Sequence, residues 1–162
     1  MDYQKFTSWS ILTEESVRTV KVGSQAELRS ALSIREEVFI EEQDVPPDLE
    51  RDGLDDDCTH FLLYSGEKPV GTGRMRALRD DRVKLERMAV LQPCRNKGLG
   101  RSLLDFMLEY ARNRGYTVAV LHAQMGAYTF YERAGFQPKG EPFLEAGIEH
   151  MTMERSLDET NR

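Results

Sequence analysis

The stretch RNKGLG, residues 95–100, decides the fold because it separates two segments with different periodicities. The segment before it, KLERMAVLQP, is typical of a strand, and the segment after it, RSLLDFMLEYARNRG, has apolar residues at helical spacing. Two glycines and two cations at such a junction indicate either a tight turn or an anion site. An anion would suit this position, because the first N–H groups of a helix lack intrahelical partners and the helix dipole attracts negative charge. The loop alone leaves both alternatives open.

Patterns on both sides of this loop predict a mixed sheet flanked by helices. Upstream, SVRTVKVGS indicates an edge strand, and THFLLYS, PVGTGRMRAL and VKLERMAVLQ indicate an antiparallel meander. Downstream, TVAVLHA and EHMTMERS indicate two more strands, and GAYTFYERAG indicates a short helix closed by Gly135. The order predicts an α/β (α+β) fold in which the helix after RNKGLG is a crossover between strands.

A further helix is predicted before the meander. Ser24 and Glu27 have the spacing of a capping box at its start, and Pro46 and Pro47 are expected to end it. Arg35 interrupts its apolar face, which predicts either a stem that snorkels outward or, preferably, an inward charge paired with a carboxylate. The apolar face consists of Leu28, Ala31, Leu32, Val38 and Phe39.

Length and composition predict one domain in a reducing compartment. The chain has 162 residues and 40% hydrophobic content, which is enough for one core. We therefore expect a single domain over residues 1–162, with its core at about 20–155 and an N-terminal extension over 1–16. The sequence has no signal-peptide pattern or membrane-length apolar run, and Cys58 and Cys94 are too few for a disulfide framework, so a cytoplasmic location is predicted. The net charge of -6 argues against general binding to nucleic acid or anionic membrane.

Several familiar chemical motifs are absent from the sequence. GEKPVGT lacks the lysine of a Walker A loop, and GLGRSL lacks the third glycine of a Rossmann fingerprint. His60, His122 and His150 match no metal-ligand spacing, so no metal site is predicted. No GxSxG elbow supports a hydrolase.

Two motifs in order resemble the GNAT superfamily of N-acetyltransferases. RNKGLG matches its [RQ]xxGx[GA] signature, and QMGAYTFYERAGF matches its closing helix pattern, NxxAxx[FL]YxxxGF. The resemblance runs from about Val20 to Arg155, and VFIEEQ, LHAQ and EAGIEHMTM are similar to a bacterial subgroup that includes ElaA and YjcF. One departure is Gln124, which stands where many members have an asparagine.

The resemblance implies a GNAT fold and direct transfer of an acetyl group from acetyl-CoA to an amine. The pyrophosphate is expected on the loop, and the pantetheine is expected to pair with the strand before it, where a backbone N–H would stabilise the developing oxyanion. Tyr131 occupies the family position of the acid that protonates the thiolate. The residues expected to bind acetyl-CoA are Met88, Ala89, Val90, Arg95, Asn96, Lys97, Gly98, Leu99, Gly100, Arg101, Gln124, Tyr128 and Tyr131.

The general base remains open between two side chains and water. Glu86 shares a face with Met88 if the strand alternates regularly, and a raised pKa would make it a base. Glutamates on this strand play that part in some family members. His122, in VLHA, is the alternative, although a lone histidine there is commonly a hydrogen-bonded core residue.

An acidic segment leads to an expectation about the acceptor. Residues 36–57 contain eleven carboxylates and one cation, Arg51. In the family this region forms the lip of the acceptor cleft, so a primary amine with net positive charge is expected, on a small molecule or peptide, with Glu42 as its contact and His122 nearby. A solvated acidic loop is the alternative for the segment. A non-catalytic acetyl-CoA sensor is the alternative function, and a homodimer is compatible with the sequence.

Overall fold

The computed structural model describes residues 16–158, so the predicted N-terminal extension lies outside the described residues except for Ser16. Seven strands form one sheet in the order β1-β2-β3-β4-β5-β7-β6. Their bounds are Val17–Lys21 (β1), Thr59–Ser65 (β2), Lys68–Ala77 (β3), Arg82–Val90 (β4), Val118–Gln124 (β5), Gln137–Glu145 (β6) and Ile148–Ser156 (β7).

The strand pairing confirms the predicted mixed sheet. Strands β1 to β4 form an antiparallel meander, and β4 then pairs with β5 in parallel. The helix that follows RNKGLG makes this parallel crossover. Strand β7 lies antiparallel to β5, and β6 pairs with the outer side of β7.

Within the described part of the chain, four α-helices accompany the sheet: α1 (Gln25–Arg35), α2 (Pro47–Glu50), α3 (Leu99–Asn113) and α4 (Tyr128–Arg133). The predicted N-cap at Ser24 is confirmed, because Ser24 Oγ accepts the Glu27 N–H at 3.1 Å, whereas Glu27 Oε1 accepts the N–H of Gly23, one residue before the cap, at 3.0 Å. Helix α1 continues as a π-helical segment that ends at Glu42, short of the predicted prolines, and Pro47 opens α2 instead. No helix within residues 16–158 is long and apolar enough to cross a membrane.

The two faces of the sheet differ in composition. Helix α3 covers one face, where its Leu103 and Met107 form the main core with apolar residues of the strands, among them Phe61, Val83 and Leu85. Helix α1 lies on the other face over a smaller apolar cluster of Ala31, Ile34, Val38, Leu62 and Ala89. Beyond this cluster the second face becomes ionic, and Arg35 is buried there in a pair with Glu50, as expected.

Strand β6 was not predicted from the sequence. Its sequence, QPKGEPFLE, contains Pro138, Gly140 and Pro142, which are ordinarily turn residues. The strand lies at the edge of the sheet, where a residue without an N–H donor is tolerated, and its register with β7 shifts between Lys139 and Phe143.

Candidate active site

The parallel strands β4 and β5 separate part of the way along their length. Their ladder joins Arg82–Leu85 to Val118–Leu121, whereas β4 continues to Val90 and β5 to Gln124. Between the diverging arms lies a cleft of about 370 Å³. The backbone of residues 86–90 therefore borders open space on the side where a β5 partner would otherwise continue the sheet.

The RNKGLG loop enters α3 with its backbone exposed. Gly98 has φ +79°, in the left-handed region, and no atom lies within 4 Å of where a Cβ would stand. The helix begins at Leu99, and its first N–H groups have no preceding turn to bond to. A Cβ on Gly100 would make only ordinary contacts with Phe130 and Val90, at 3.7 and 3.8 Å. The loop thus fits an anion such as pyrophosphate, and only Gly98 is required by backbone conformation.

Two of the loop cations have carboxylate partners. The guanidinium of Arg95 donates to both oxygens of Glu42, at 2.6 and 2.7 Å, and its Nε donates to the Val90 carbonyl at 2.8 Å. The hydrogen bond from Arg95 holds the pKa of Glu42 below its usual range. Arg101 donates to Asp105 at 2.9 Å, while Asn96 and Lys97 are exposed. Glu42, expected at the acceptor, is drawn to the loop instead and is absent from the described residues that line the cleft.

The residue after Glu42 reaches the opposite arm of the cleft. Gln124, at the end of β5, donates from its amide to Gln43 Oε1 at 2.8 Å. Residues 42 and 43 therefore connect the end of the π-helical segment to the loop after β4 and to β5. The side-chain amide of Gln124, which the family resemblance assigns to acetyl-CoA, is engaged with the protein itself.

A β-bulge in β4 changes the predicted orientation of Glu86. Arg87 has φ +54°, and the register with β3 shifts between Thr72 and Arg74. Met88 consequently packs with the α3-side core, whereas Glu86 pairs with Arg74 on the opposite face. The prediction that Glu86 and Met88 share a face was wrong, because the extra residue breaks the two-residue alternation.

Glu86 also lacks the electrostatics expected of a base. Its carboxylate is 8% exposed and contacts three cations, with Arg76 Nη2 at 2.8 Å and Lys84 Nζ at 3.4 Å in addition to Arg74. Burial alone would raise the pKa of Glu86, but hydrogen bonds from Arg76 and Arg74 and the nearby positive charges outweigh it and lower that pKa. The expected raised pKa was therefore wrong.

Tyr131, on α4, lines the cleft in an apolar setting. Its ring lies edge-on to Phe130 and Phe136, with centroids 5.0 and 5.9 Å away. Burial raises the pKa of Tyr131 to about 12, so its hydroxyl stays protonated at neutral pH. Tyr128, one turn earlier, packs partly against the main core.

His122 lines the same cleft and has a carboxylate partner that the sequence did not reveal. Its Nδ1 lies 3.1 Å from Glu145 Oε1, and the other oxygen of Glu145 is 3.7 Å from His150 Nε2. An imidazole that donates from Nδ1 to a carboxylate keeps Nε2 as the nitrogen with the lone pair. Glu145 was missed because it ends the unpredicted strand β6. The available signal was a carboxylate four residues before a predicted strand, EHMTMERS, that carries a second histidine.

The acidic segment is neutralised in part, because five of its eleven carboxylates pair with arginines: Glu36, Glu42, Glu50, Asp52 and Asp55. Arg35 pairs with Glu50 and Asp55, each at 2.8 Å, and Arg74 pairs with Asp52 at 2.7 Å and with Asp55 at 2.9 Å. The cleft itself is lined by charged residues of both signs. The acidic ones are Glu50, Asp52, Glu86 and Glu145, and the basic ones are Arg76, Lys84 and Arg87.

Comparisons with known proteins agree with this arrangement. Residues 13–157 match the family model described as "Acetyltransferase (GNAT) domain". The chain is 38% identical over 138 residues to YjcF of Bacillus subtilis, described as an uncharacterized N-acetyltransferase, covering 85% of this chain and 98% of YjcF. An acyl-CoA N-acyltransferase from Pseudomonas aeruginosa has a similar structure, with a TM-score of 0.77 at 29% identity over 86% of this chain and 99% of that one. Escherichia coli ElaA gives a TM-score of 0.76 at 26% identity, with the same coverage.

Proposed function

The chain belongs to the GNAT acetyltransferases, and we propose that it transfers acetyl from acetyl-CoA directly to a primary amine of a small molecule or peptide. One observation carries the proposal: Tyr131 and the His122–Glu145 pair line the cleft that opens where β4 and β5 separate. An acid, a base and an unpaired strand edge are the parts that acyl transfer between a thioester and an amine requires.

The expected acetyl-CoA residues fit this substrate. The loop around Gly98 and the start of α3 offer backbone N–H groups to phosphate, and Lys97 and Arg101 add positive charge. The backbone of Met88, Ala89 and Val90 has no β5 partner, and Met88 lines the cleft, so this backbone would hold the pantetheine by main-chain hydrogen bonds. When bound, acetyl-CoA supplies a thioester as the acyl donor.

His122 and Tyr131 divide the proton transfers between them. The incoming ammonium first loses a proton to water, and the neutral amine nitrogen then bonds to the thioester carbonyl carbon as the C–S bond breaks. His122 Nε2 accepts the second amine proton, and the Tyr131 hydroxyl protonates the departing sulfur. Proton exchange returns imidazolium and phenolate to their neutral forms, leaving the amide and the free thiol.

Of the two side chains considered as base, His122 has the better environment. Glu145 holds the imidazole through Nδ1 and stabilises the imidazolium that forms, as a carboxylate does beside a catalytic histidine. Glu86 is bound by three cations, which stabilise its deprotonated form and weaken its affinity for a proton. We therefore assign the base to His122 and make Glu145 its positioning residue.

The expectation that the acceptor carries net positive charge required unpaired carboxylates beside the cleft, and those nearest to it are paired. Glu42 pairs with Arg95, and the acidic residues nearest the cleft, Glu50 and Asp52, pair with arginines. The proposed acceptor is accordingly defined by its primary amine.

A turnover assay tests the proposal. Purified full-length chain is incubated with acetyl-CoA and a panel of primary amines, thiol release is followed, and acetylated amine is identified by mass spectrometry. Tyr131→Phe should lower kcat by about 10²-fold with little change in acetyl-CoA affinity by calorimetry, since only the proton is removed. Tyr116→Phe, a tyrosine outside the cleft, is the matched control. Tight binding of acetyl-CoA without thiol release in the presence of any of the amines would support a sensor instead.

A further inference from the structure

We propose that the acceptor carries a carboxylate as well as its primary amine, and that Arg76 and Lys84 bind this carboxylate at one end of the cleft. The proposal rests on the proposed function and names the substrate class for that same site. Three features support it: the position of the two cations in the cleft, their shared contact with one carboxylate, and the carboxylate of Glu145 at the other end of the cleft.

Arg76 and Lys84 stand side by side within the cleft. They are directly paired residues of β3 and β4, and both contact Glu86, so their side chains lie on the same face of the sheet. Lys84 is also paired with Val120 of β5, two residues before His122. Because side chains two residues apart on a strand share a face, His122 belongs to the same surface as the two cations.

The charge of these two cations is only partly balanced. Arg74 has Asp52 and Asp55 in addition to Glu86. Arg76 and Lys84, by contrast, have only one carboxylate within 4.0 Å among residues 16–158, which is that of Glu86. Both cations contact its Oε1. Two positive charges therefore share one oxygen of a carboxylate that Arg74 already binds through the other.

A structural role explains the buried position of Arg74 better than it explains the more exposed positions of Arg76 and Lys84. Glu86 is buried and needs positive charge beside it, and it accepts two hydrogen bonds from Arg74, which is fully buried, and two from Arg76. Arg76 and Lys84 are more exposed, at 31% and 18%, and line the cleft. A guanidinium and an ammonium that face the cleft with surplus charge match the donors that bind carboxylates.

The opposite end of the site has the complementary charge. Glu145 presents a carboxylate beside His122, which suits an arriving ammonium. Strand geometry puts His122 about 8 Å from Lys84 between Cα atoms, one strand across and two residues along. With both side chains reaching inward, this span and a cleft of about 370 Å³ fit a compact molecule with an amine at one end and a carboxylate at the other. An amino acid is the simplest member of that class.

A matched acceptor series tests the inference. Amino acids, their amides and the corresponding decarboxylated amines are compared at saturating acetyl-CoA, so that amine and side chain stay constant while the carboxylate changes. The carboxylate form should have at least a tenfold higher kcat/KM than its neutral counterparts, as expected for charge-assisted hydrogen bonds. Equal rates for the three forms would overturn the inference while leaving the proposed function intact. Preference for an aminoalkyl phosphonate over the carboxylate would keep the anion site and overturn its assignment to a carboxylate.

Variants then assign the effect to the two cations. In Lys84→Met and Arg76→Gln the selectivity ratio of carboxylate over amide should fall by about tenfold or more, mainly through KM. Each variant leaves Glu86 with Arg74 and one further cation, and thermal melting checks that it folds. Lys68→Met, an exposed lysine at the start of β3, is the matched control and should keep the ratio. Retention of the ratio in both cleft variants would contradict the assignment.

A binding measurement keeps the inference testable without turnover. In the presence of CoA, an N-acetyl amino acid should raise the melting temperature of the protein more than its amide does, and Lys84→Met should abolish the difference. If this difference is present while no amine is acetylated, the proposed function fails and the anion site stands. If it is absent and no acceptor shows carboxylate selectivity, the anion site fails.

Discussion

The two faces of β3 and β4 both contain almost fully buried residues, but they are chemically opposite. On the α3 side Val83 and Leu85 are 0% and 2% exposed, and on the cleft side Arg74 and Glu86 are 0% and 8% exposed. The first face is stabilised by removing apolar surface from water. On the second face each buried charge has partners, and the cost of desolvation offsets much of the attraction between them. Depth of burial therefore does not distinguish the part of this sheet that supports the fold from the part that supports chemistry.

The largest expected effect comes from removing one charge from the ionic face. Arg74→Met should lower the free energy of unfolding by about 3 kcal/mol, the lower end of the range for breaking a buried ion pair. The lower end applies because Asp52, Asp55 and Glu86 each retain a second cation. Urea denaturation followed by circular dichroism measures the change. Leu103→Ala, on the apolar face, is the comparison and should cost about 2–5 kcal/mol through its cavity. A cost under 1 kcal/mol for Arg74→Met would show that the network contributes no stability.

The next largest effect separates chemistry from stability on the ionic face. His122→Gln should lower kcat/KM by about 10²-fold, since it removes the proposed base, with little change in melting temperature. Glu145→Gln should lower kcat/KM less, mainly through kcat with little change in KM, because the imidazole of His122 loses the carboxylate that orients it. An unchanged kcat would leave Glu145 without a positioning role.

Acid titration gives a smaller effect that should appear on the ionic face alone. The arginines lower the pKa of Asp52, Asp55 and Glu86, and groups of this kind stabilise the fold above their unfolded pKa near 4. That stabilisation is lost as the pH falls through the folded pKa values, because the unfolded chain then binds more protons. Wild type should lose stability below about pH 5, with a slope of about 1.4 kcal/mol per pH unit for each extra proton bound.

Two variants show where that slope comes from. Arg74→Met should have a shallower slope than wild type, because its carboxylates are less strongly held in the charged form. Leu103→Ala should remain parallel to wild type while being less stable at every pH. Parallel curves for all three proteins would mean that the network does not set the acid stability.

The smallest expected effect concerns an ion pair at the rim. Glu42→Gln should change the free energy of unfolding by less than about 1 kcal/mol, because Glu42 and Arg95 are 37% and 33% exposed and water already screens their attraction. Urea denaturation at low and moderate salt is the measurement. A loss as large as that in Arg74→Met would mean that exposure does not distinguish the two kinds of pair.

The sequence predicted the elements whose signals are local. Ser24 and Glu27 fix the start of α1 by neighbouring contacts, and Gly98 of RNKGLG marks the entry to α3 through its backbone conformation. Strand β6 could not be predicted because Pro138 and Pro142 are compatible with a strand only at an edge. Whether a segment lies at an edge depends on the whole sheet.

The candidate site was predicted only in part, for a similar reason. Tyr131 and the loop residues follow from motifs that are contiguous in sequence. The orientation of Glu86 depends on a bulge at Arg87 that regular alternation does not anticipate. Glu145 reaches His122 from 23 residues away, and Gln124 meets Gln43 from 81 residues away, and both contacts exist only once the strands are assembled.

The strands at the two margins of the sheet bear on how the protein avoids aggregation. An open margin exposes unpaired N–H and C=O groups that can recruit a strand from another molecule. Strand β6 presents two prolines that cannot donate, together with an irregular register, and β1 is five residues long and carries Arg18 and Lys21. Both margins are therefore poor templates for sheet extension, and the prolines that concealed β6 from sequence analysis protect the folded chain from adding strands there.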